Sequence, residues 1–273
     1  MHLGVAGSVY STVVGAVIML CITGRHILVR RGELRFRFEP MHWQAVGDAA
    51  KTGFATALQY LFQFITMIAV NRMFIRLGGE VAVAAFGVIY NISLLCAAVP
   101  EAAVVATEPM LSSYRSERNL ANVRDTLRLS VLWSLLLSAG LMILLLIFPE
   151  WFGRFFGMGS GIALEYTARG VSIYAASILP AMLNIVFSGY YQAMLREKLT
   201  YLITFLRTFL FYLAALWICS RNGMESIWNI FAVTELLTLL VWLPIALKRG
   251  GLLQLRGIDV SCAGSTSAAP EAS

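Results

Sequence analysis

Three glutamates lie inside strongly apolar stretches of this sequence: Glu101, Glu108 and Glu235. Four amides lie in similar surroundings: Gln59, Gln63, Asn91 and Asn184. Ionisable groups are costly inside a membrane, and those found there usually carry protons, ions or substrates. Because desolvation disfavours the charged form of a carboxylate, such a group can take up a proton on one side of a membrane and release it on the other. These residues are therefore candidates for binding and coupling in transport.

The spacing of the candidates places some of them together. Glu101 and Glu108 are seven residues apart, so on a helix they share a face and lie roughly 10 Å apart along the axis. Gln59 and Gln63 are one helical turn apart. The amides also have a structural interpretation, because polar side chains such as Gln63 and Asn184 can join neighbouring membrane helices, at about 1 kcal/mol each.

Each carboxylate has a structural interpretation as well. Glu108 lies near the end of its apolar run and could reach interfacial water. Glu101 follows Pro100, so it could either cap a broken helix or line a cavity. Glu235 could form a buried ion pair with Arg207 of the preceding apolar run.

The composition shows what kind of element carries these groups. The chain has 273 residues, of which 59% are hydrophobic and only 13% charged. Soluble domains are about 45–50% apolar and about 25% charged, so an ordinary soluble fold is excluded. A membrane-crossing helix needs about 20 apolar residues. The sequence therefore predicts an all-α, polytopic membrane helix bundle.

Seven apolar runs are long enough to cross a membrane. Gly78 and Gly79 separate the second run from the third, and Pro180 interrupts the fifth. The tail from 250 to 273 is rich in Ser and Ala and is predicted to be disordered. The predicted spans are 3–23, 53–74, 81–110, 127–148, 171–192, 199–219 and 227–247.

Basic residues alternate between the loops. Most of the arginines and lysines fall in the segments 24–37, 115–124, 196–198 and 248–256. By the positive-inside rule these segments are cytoplasmic, so the C-terminus is predicted to be cytoplasmic. The net charge of +6 is then explained by the basic residues of cytoplasmic loops next to membrane lipid, and no nucleic-acid partner is expected. We expect a multi-pass protein of a bacterial inner membrane.

Recognised catalytic motifs are missing from the sequence. It contains no GxSxG, HExxH, GxxxxGK[ST] or GxGxxG pattern. The four cysteines and three histidines have no metal-ligand spacing. The chain is therefore predicted not to be an enzyme, and no metal site or organic cofactor is expected.

Several short stretches resemble multidrug and toxic compound extrusion (MATE) transporters. The stretch 53–87 resembles the start of the second lobe of that family, with a helix that reaches Asn71 and a Gly-Gly turn. EPMLSSY at 108–114 resembles the Gln-Pro-Ile-x-Ser-Tyr-Asn segment, and FSGYYQA at 187–193 resembles a later one. The segment from Gly223 to Glu235 resembles the last helix. The order and spacing of these pieces cover residues 1–250.

The resemblance implies a domain organisation. The family has twelve helices in two lobes of six, and this chain would supply helices six to twelve. Residues 1–23 would form the last helix of the N-terminal lobe, 24–44 the cytoplasmic linker, 45–249 the C-terminal lobe and 250–273 the tail. LGVAGSVYST at 3–12 resembles the opening of helix six, so we expect an N-terminally truncated chain whose partner is the missing N-terminal lobe.

The resemblance also implies a function, namely antiport that exports hydrophobic or cationic small molecules by alternating access, driven by protons or sodium ions. Gln63 stands where the sodium-coupled branch has an acidic residue, and no carboxylate corresponds to that of helix ten near Asn184. Glu108 replaces a glutamine, and Glu101 replaces a small residue. If protons drive the protein, Glu101 and Glu235 are the best coupling candidates.

Two alternatives remain at this point. The chain could be a non-transporting remnant or a subunit, because one lobe and one helix do not enclose a cavity between two lobes. It could also be related to lipid-linked oligosaccharide flippases of the same superfamily, which would favour a wide and strongly cationic cavity.

Overall fold

The computed structural model describes residues 4–28, 43–159 and 161–248, and for some helical residues, Gln59 among them, the backbone alone. Those residues form helices and no strand, which confirms the all-α prediction. The predicted tail and most of the predicted linker lie outside the described residues. The helices are α1 Gly4–Leu28, α2 Trp43–Ser116, α3 Leu120–Ile147, α4 Pro149–Phe155, α5 Ile162–Ala175, α6 Ile178–Ala193, α7 Glu197–Phe205, α8 Phe211–Arg221, α9 Met224–Ile227 and α10 Ile230–Lys248, with a π-helical turn Leu206–Leu210 between α7 and α8.

The chain divides into two compact units, Met1–Gly53 and Phe54–Ser273. The first unit contains α1, whose side chains from Thr12 to Ile22 are exposed. The second unit contains most of α2 and all later helices, and the site described below lies entirely within it.

The long helix α2 turns back on itself at Gly79. This residue has φ +66° and ψ −160°, a conformation that is essentially restricted to glycine. The rings of Phe74 and Phe86 are 4.8 Å apart, whereas twelve residues of straight helix would separate them by about 18 Å. The predicted turn at Gly78 and Gly79 is therefore confirmed, and it makes α2 a helical hairpin with a first arm before Gly79 and a second arm after it.

Pro100 and Pro180 affect the helices that contain them differently. Pro100 lies within the continuous second arm of α2, so the helix is not broken there and Glu101 does not cap a helix end. The fifth predicted span is interrupted, but at Ala176 and Ser177 rather than at Pro180, with a bend of 52° between α5 and α6. The break precedes the proline because its ring excludes the carbonyl of the residue four positions earlier.

Two groups of buried side chains hold the second unit together. One group packs the hairpin of α2 against α5 and α9, with Phe74, Phe86, Ile89 and Trp228 almost fully buried. The other packs α6 against α3, α7 and α10 around Tyr190, Tyr191 and Trp242. Close approach of helices is part of this packing, since a Cβ atom at Gly189 would lie only 2.3 Å from the side chain of Val104.

Long apolar helices make this a multi-pass membrane protein. By length and composition, four helical segments among the described residues could cross a membrane, and the bent α5–α6 pair would be a fifth. The first of these segments contains the turn at Gly79, and with it most of the second predicted span and all of the third. The four segments are Tyr60–Ser116, Leu120–Ile147, Lys198–Arg221 and Ile230–Leu247.

Candidate functional site

A cavity of about 400 Å³ lies in the second unit, between the arms of α2, α5, α6, the π-helical turn, α8 and α10. Three charged residues line it: Glu101, Arg207 and Glu235. Gln63, Thr66 and Cys96 are among its polar lining residues, and its remaining wall is mainly aromatic and aliphatic. The cavity therefore brings together three of the residues singled out from the sequence, which lie as much as 172 positions apart in the chain.

Glu101 and Gln63 face this cavity from opposite arms of α2. Both side chains are exposed, and no described residue forms a hydrogen bond or an ion pair with either of them. Of the two structural interpretations of Glu101, the structure excludes the capping of a broken helix and agrees with a place in a cavity wall. Glu101 thus offers an unpartnered carboxylate to anything that enters.

Glu235 lies in a hydrogen-bonded network instead. Arg207 donates from Nε to one carboxylate oxygen, Oε1, at 2.6 Å, which confirms the predicted pair. The amide nitrogen of Asn184 donates to the other oxygen, Oε2, at 2.7 Å, and to the backbone carbonyl of Glu235 at 3.0 Å. The indole N–H of Trp242 in turn donates to the amide oxygen of Asn184 at 2.6 Å. The network joins α6, the π-helical turn and α10.

The network is placed by features of the local chain. Arg207 is the second residue of the π-helical turn, a rare geometry that is frequent at functional sites. The hydroxyl of Thr66 donates to the carbonyl of Thr208 in this turn at 3.0 Å, so the first arm of α2 supports it. Asn184 and Trp242 are completely buried, which fixes their orientation.

Aromatic rings line the same cavity as the carboxylates. Phe231 is at the centre, 5.3 Å from Tyr174, 6.1 Å from Tyr212 and 6.2 Å from Phe86 by ring centroids. Phe86 also contacts Tyr90, with 6.2 Å between their ring centroids. Since aromatic faces attract cations, and carboxylates do so more strongly, this wall is suited to an organic cation.

Two other candidates, Asn91 and Glu108, lie elsewhere. Asn91 is exposed and its amide donates to the carbonyl of Gly87 in its own helix, at 2.8 Å. Glu108 is not in the cavity wall and accepts a hydrogen bond of 3.3 Å from Gln192 of α6. The side chain of Gln59 lies outside the described part of the chain.

Sequence reasoning missed several residues of the site. Nothing in the sequence distinguishes Trp242, Tyr174 and Tyr212 from the other aromatic residues of the apolar runs, because composition does not show which side of an apolar helix faces a cavity. The π-helical turn has no recognisable sequence signal. The one indication that the sequence offers is the spacing of Trp242, which follows Glu235 by seven residues in the same apolar run and therefore shares a helix face with it.

Comparison with protein families gives one match. The family model MatE matches residues 52–218, which is more than half of the chain and includes both arms of α2, α5, α6 and the π-helical turn. A search of curated proteins found no match.

Comparison with solved structures gives similar folds at low sequence identity. An outward-facing multidrug resistance MATE family transporter of the MOP superfamily matches with a TM-score of 0.78 and 17% identity, over 92% of this chain and 57% of that one. The inward-facing form matches with a TM-score of 0.75 and 17% identity, over 93% and 59%. A MOP superfamily transporter from Pyrococcus furiosus, described as having a binding pocket of reversed polarity, matches with 0.79 and 17%, over 93% and 57%. The chain therefore spans less than two thirds of the length of these structures.

Proposed function

Since the chain belongs to the MatE family, we propose that it forms one lobe of a membrane exporter and that its cavity binds hydrophobic or cationic small molecules during export. The proposal rests above all on Glu101, an unpartnered carboxylate in the wall of a cavity within a membrane helix bundle. Such a group is costly in this position, and a purely structural role would give it a partner.

The chemistry of the cavity wall supports the proposed substrate class. Glu101 and Glu235 together outnumber the single guanidinium of Arg207, and the aromatic rings around Phe231 provide apolar faces. An organic cation with apolar substituents would find both kinds of contact. The same wall speaks against a flippase for anionic lipid-linked sugars, because its one guanidinium is already paired with Glu235.

We further propose antiport by alternating access, with a proton or a sodium ion as the coupling ion. Glu101 would bind the coupling ion and the exported cation in turn, because one unpartnered carboxylate accommodates only one positive charge well. Rocking of the two lobes of the complete transporter would expose the carboxylate to each side of the membrane alternately.

The substitution Glu101→Gln tests this function. Glu101→Gln keeps the size and polarity of the side chain and removes its charge, so efflux of ethidium from energised cells expressing the protein should fall roughly tenfold, as expected when a contact of about 1.4 kcal/mol is lost. Glu80→Gln is the matched control, because Glu80 is exposed on the same hairpin and does not line the cavity. Its efflux should equal that of the wild type.

The same assay tests the coupling ion. If protons drive export, a protonophore should stop efflux by the wild type while removal of sodium has little effect, and the reverse should hold for sodium. Equal efflux by Glu101→Gln and the wild type, at equal protein levels, would remove Glu101 from the transport mechanism.

A further inference from the structure

The ion pair between Arg207 and Glu235 belongs to the wall of the cavity, and its two halves are held differently. We propose that Arg207 is a tethered counter-ion, which occupies the cation-binding face of the Glu235 carboxylate and gives it up when a cationic ligand enters. This inference rests on the proposed function of the cavity and concerns how ligand binding there is controlled.

The carboxylate of Glu235 is held in place without Arg207. Asn184 donates to Oε2 at 2.7 Å and to the backbone carbonyl of the same residue, and Trp242 fixes the amide of Asn184 through its oxygen. Asn184 and Trp242 are fully buried and belong to α6 and α10. Oε1 is therefore a pre-positioned acceptor that keeps its place when its present partner leaves.

Arg207, in contrast, uses only part of its hydrogen-bonding capacity. Its guanidinium carries five N–H donors, and a buried arginine opposite a carboxylate commonly forms two parallel bonds. Here a single bond from Nε reaches Glu235, and the described residues accept no other hydrogen bond from this side chain. Its side chain is 28% exposed and lines the cavity, whereas that of Glu235 is 12% exposed. Arg207 thus has both unused donors and open space beside it.

Electrostatics requires that another cation take the place of the Arg207 guanidinium when it leaves Glu235. Withdrawing Arg207 alone would leave a charge of Glu235 uncompensated in a largely apolar wall, which is strongly unfavourable. A ligand cation at Oε1 would replace that charge, and the rings of Tyr174, Tyr212 and Phe231 lie around the same part of the cavity. A neutral ligand has nothing to offer Glu235 and would leave the pair intact. The pair therefore selects for charge and lowers the affinity for every cation by the cost of displacing the guanidinium.

The test is the affinity of the purified protein for tetraphenylphosphonium, measured by titration calorimetry. Arg207→Gln should bind this cation roughly tenfold more tightly than the wild type, because the competing cation is gone. Arg207→Gln combined with Glu235→Gln should lose that gain. Arg154→Gln is the matched control, because Arg154 also pairs with a glutamate, Glu150, but on the exposed surface away from the cavity. Triphenylphosphine oxide, a neutral relative, should bind equally to all variants.

If Arg207→Gln does not fold, Arg207→Lys serves instead. Lysine keeps the charge but holds it on a shorter stem without the guanidinium fork, so the gain should be smaller and should again depend on Glu235. Unchanged or weaker binding of tetraphenylphosphonium by a folded Arg207 variant would overturn the inference. If the wild type does not bind tetraphenylphosphonium and Glu101→Gln does not reduce efflux, the proposed function of the cavity would be overturned instead. Wild-type binding that weakens in Glu101→Gln, without a gain in the Arg207 variants, would overturn the inference alone.

Discussion

At the scale of single residues, Asn184 has the most fully used side chain of the site. Its amide nitrogen makes two hydrogen bonds to Glu235 and its oxygen accepts one from Trp242, so one buried side chain joins α6 to α10 at three points. Asn184 and Trp242 are completely buried, so their hydrogen bonds are shielded from solvent. Asn184 therefore sets both the position of Glu235 and the distance between two helices that line the cavity.

Substitution of Asn184 should accordingly affect stability. Asn184→Leu has a similar volume but leaves the indole N–H of Trp242 and one oxygen of Glu235 without their partner, which should cost about 2 kcal/mol of unfolding free energy. Asn91→Leu is the control, because Asn91 is exposed and bonds only within its own helix, and its effect should stay within about 0.5 kcal/mol. Thermal unfolding in detergent measures both. Equal effects of the two variants would show that the Asn184 network adds no stability.

Sequence reasoning at this scale was good at finding polar groups and poor at finding their partners. The composition of the apolar runs singles out Glu101, Glu235 and Asn184, because a polar group inside a membrane helix is costly unless it has a partner or a function. The pair of Glu235 with Arg207 was also predictable from neighbouring helices. The contact of Asn184 with Trp242, 58 residues later, depends on the rotation of two helices about their axes, which the mostly apolar sequence of α10 does not fix.

At the scale of elements, the hairpin of α2 positions half of the cavity wall. Gln63 and Thr66 come from the first arm, and Glu101 from the second, and they meet because the chain reverses at Gly79. A side chain at this position would have open space, since nothing lies within 4 Å of a Cβ atom there. The requirement for glycine at position 79 therefore comes entirely from its backbone angles.

That constraint predicts opposite effects for two glycines of the same hairpin. Gly79→Ala should destabilise the protein by about 1–3 kcal/mol, because alanine is strained at this φ and ψ. Gly87→Ala, within the second arm and also with nothing near its Cβ position, should stabilise it by about 0.5–1 kcal/mol, because alanine is the better helix former. Unfolding midpoints of the two variants are the measurement. A neutral Gly79→Ala would mean that the reversal does not depend on glycine.

The limits of the helices were less predictable than their existence. The Gly-Gly pair correctly marked the reversal, because glycine tolerates the backbone angles that it needs. Proline was misleading, since Pro100 lies in an unbroken helix and the break near Pro180 falls four residues earlier. A proline shows that one carbonyl loses its partner but not whether neighbouring groups compensate. The π-helical turn at Arg207 is likewise not marked by residue types, although Thr66 donates a hydrogen bond to the carbonyl of Thr208 within it.

At the scale of the whole molecule, the chain is a multi-pass helical membrane protein of the MatE family whose fold matches both an outward-facing and an inward-facing transporter. The TM-scores against the two forms, 0.78 and 0.75, are similar.

The distribution of basic residues predicts how this molecule is oriented. Arg115 is in the last turn of α2 and Arg118 is in the turn between α2 and α3, which should therefore be cytoplasmic. The variant Ser116→Cys, at the last residue of α2, should react with a membrane-impermeant maleimide only in inside-out vesicles, in a background whose native cysteines are replaced by serine. A cysteine at Gly159, between α4 and α5, should react only in right-side-out spheroplasts. The reverse pattern would contradict the predicted orientation.

The central claim is that the cavity beside Glu101 and the Arg207–Glu235 pair is where the exported cation binds. The most direct measurement is a crystal structure of the transporter soaked with tetraphenylarsonium, whose arsenic atom gives an anomalous signal. We expect the anomalous peak inside the cavity, among Glu101, Phe231 and Tyr212, with the Arg207 guanidinium displaced from Glu235. A peak confined to the lipid-facing surface or to another site, at a ligand concentration that inhibits efflux, would contradict the claim.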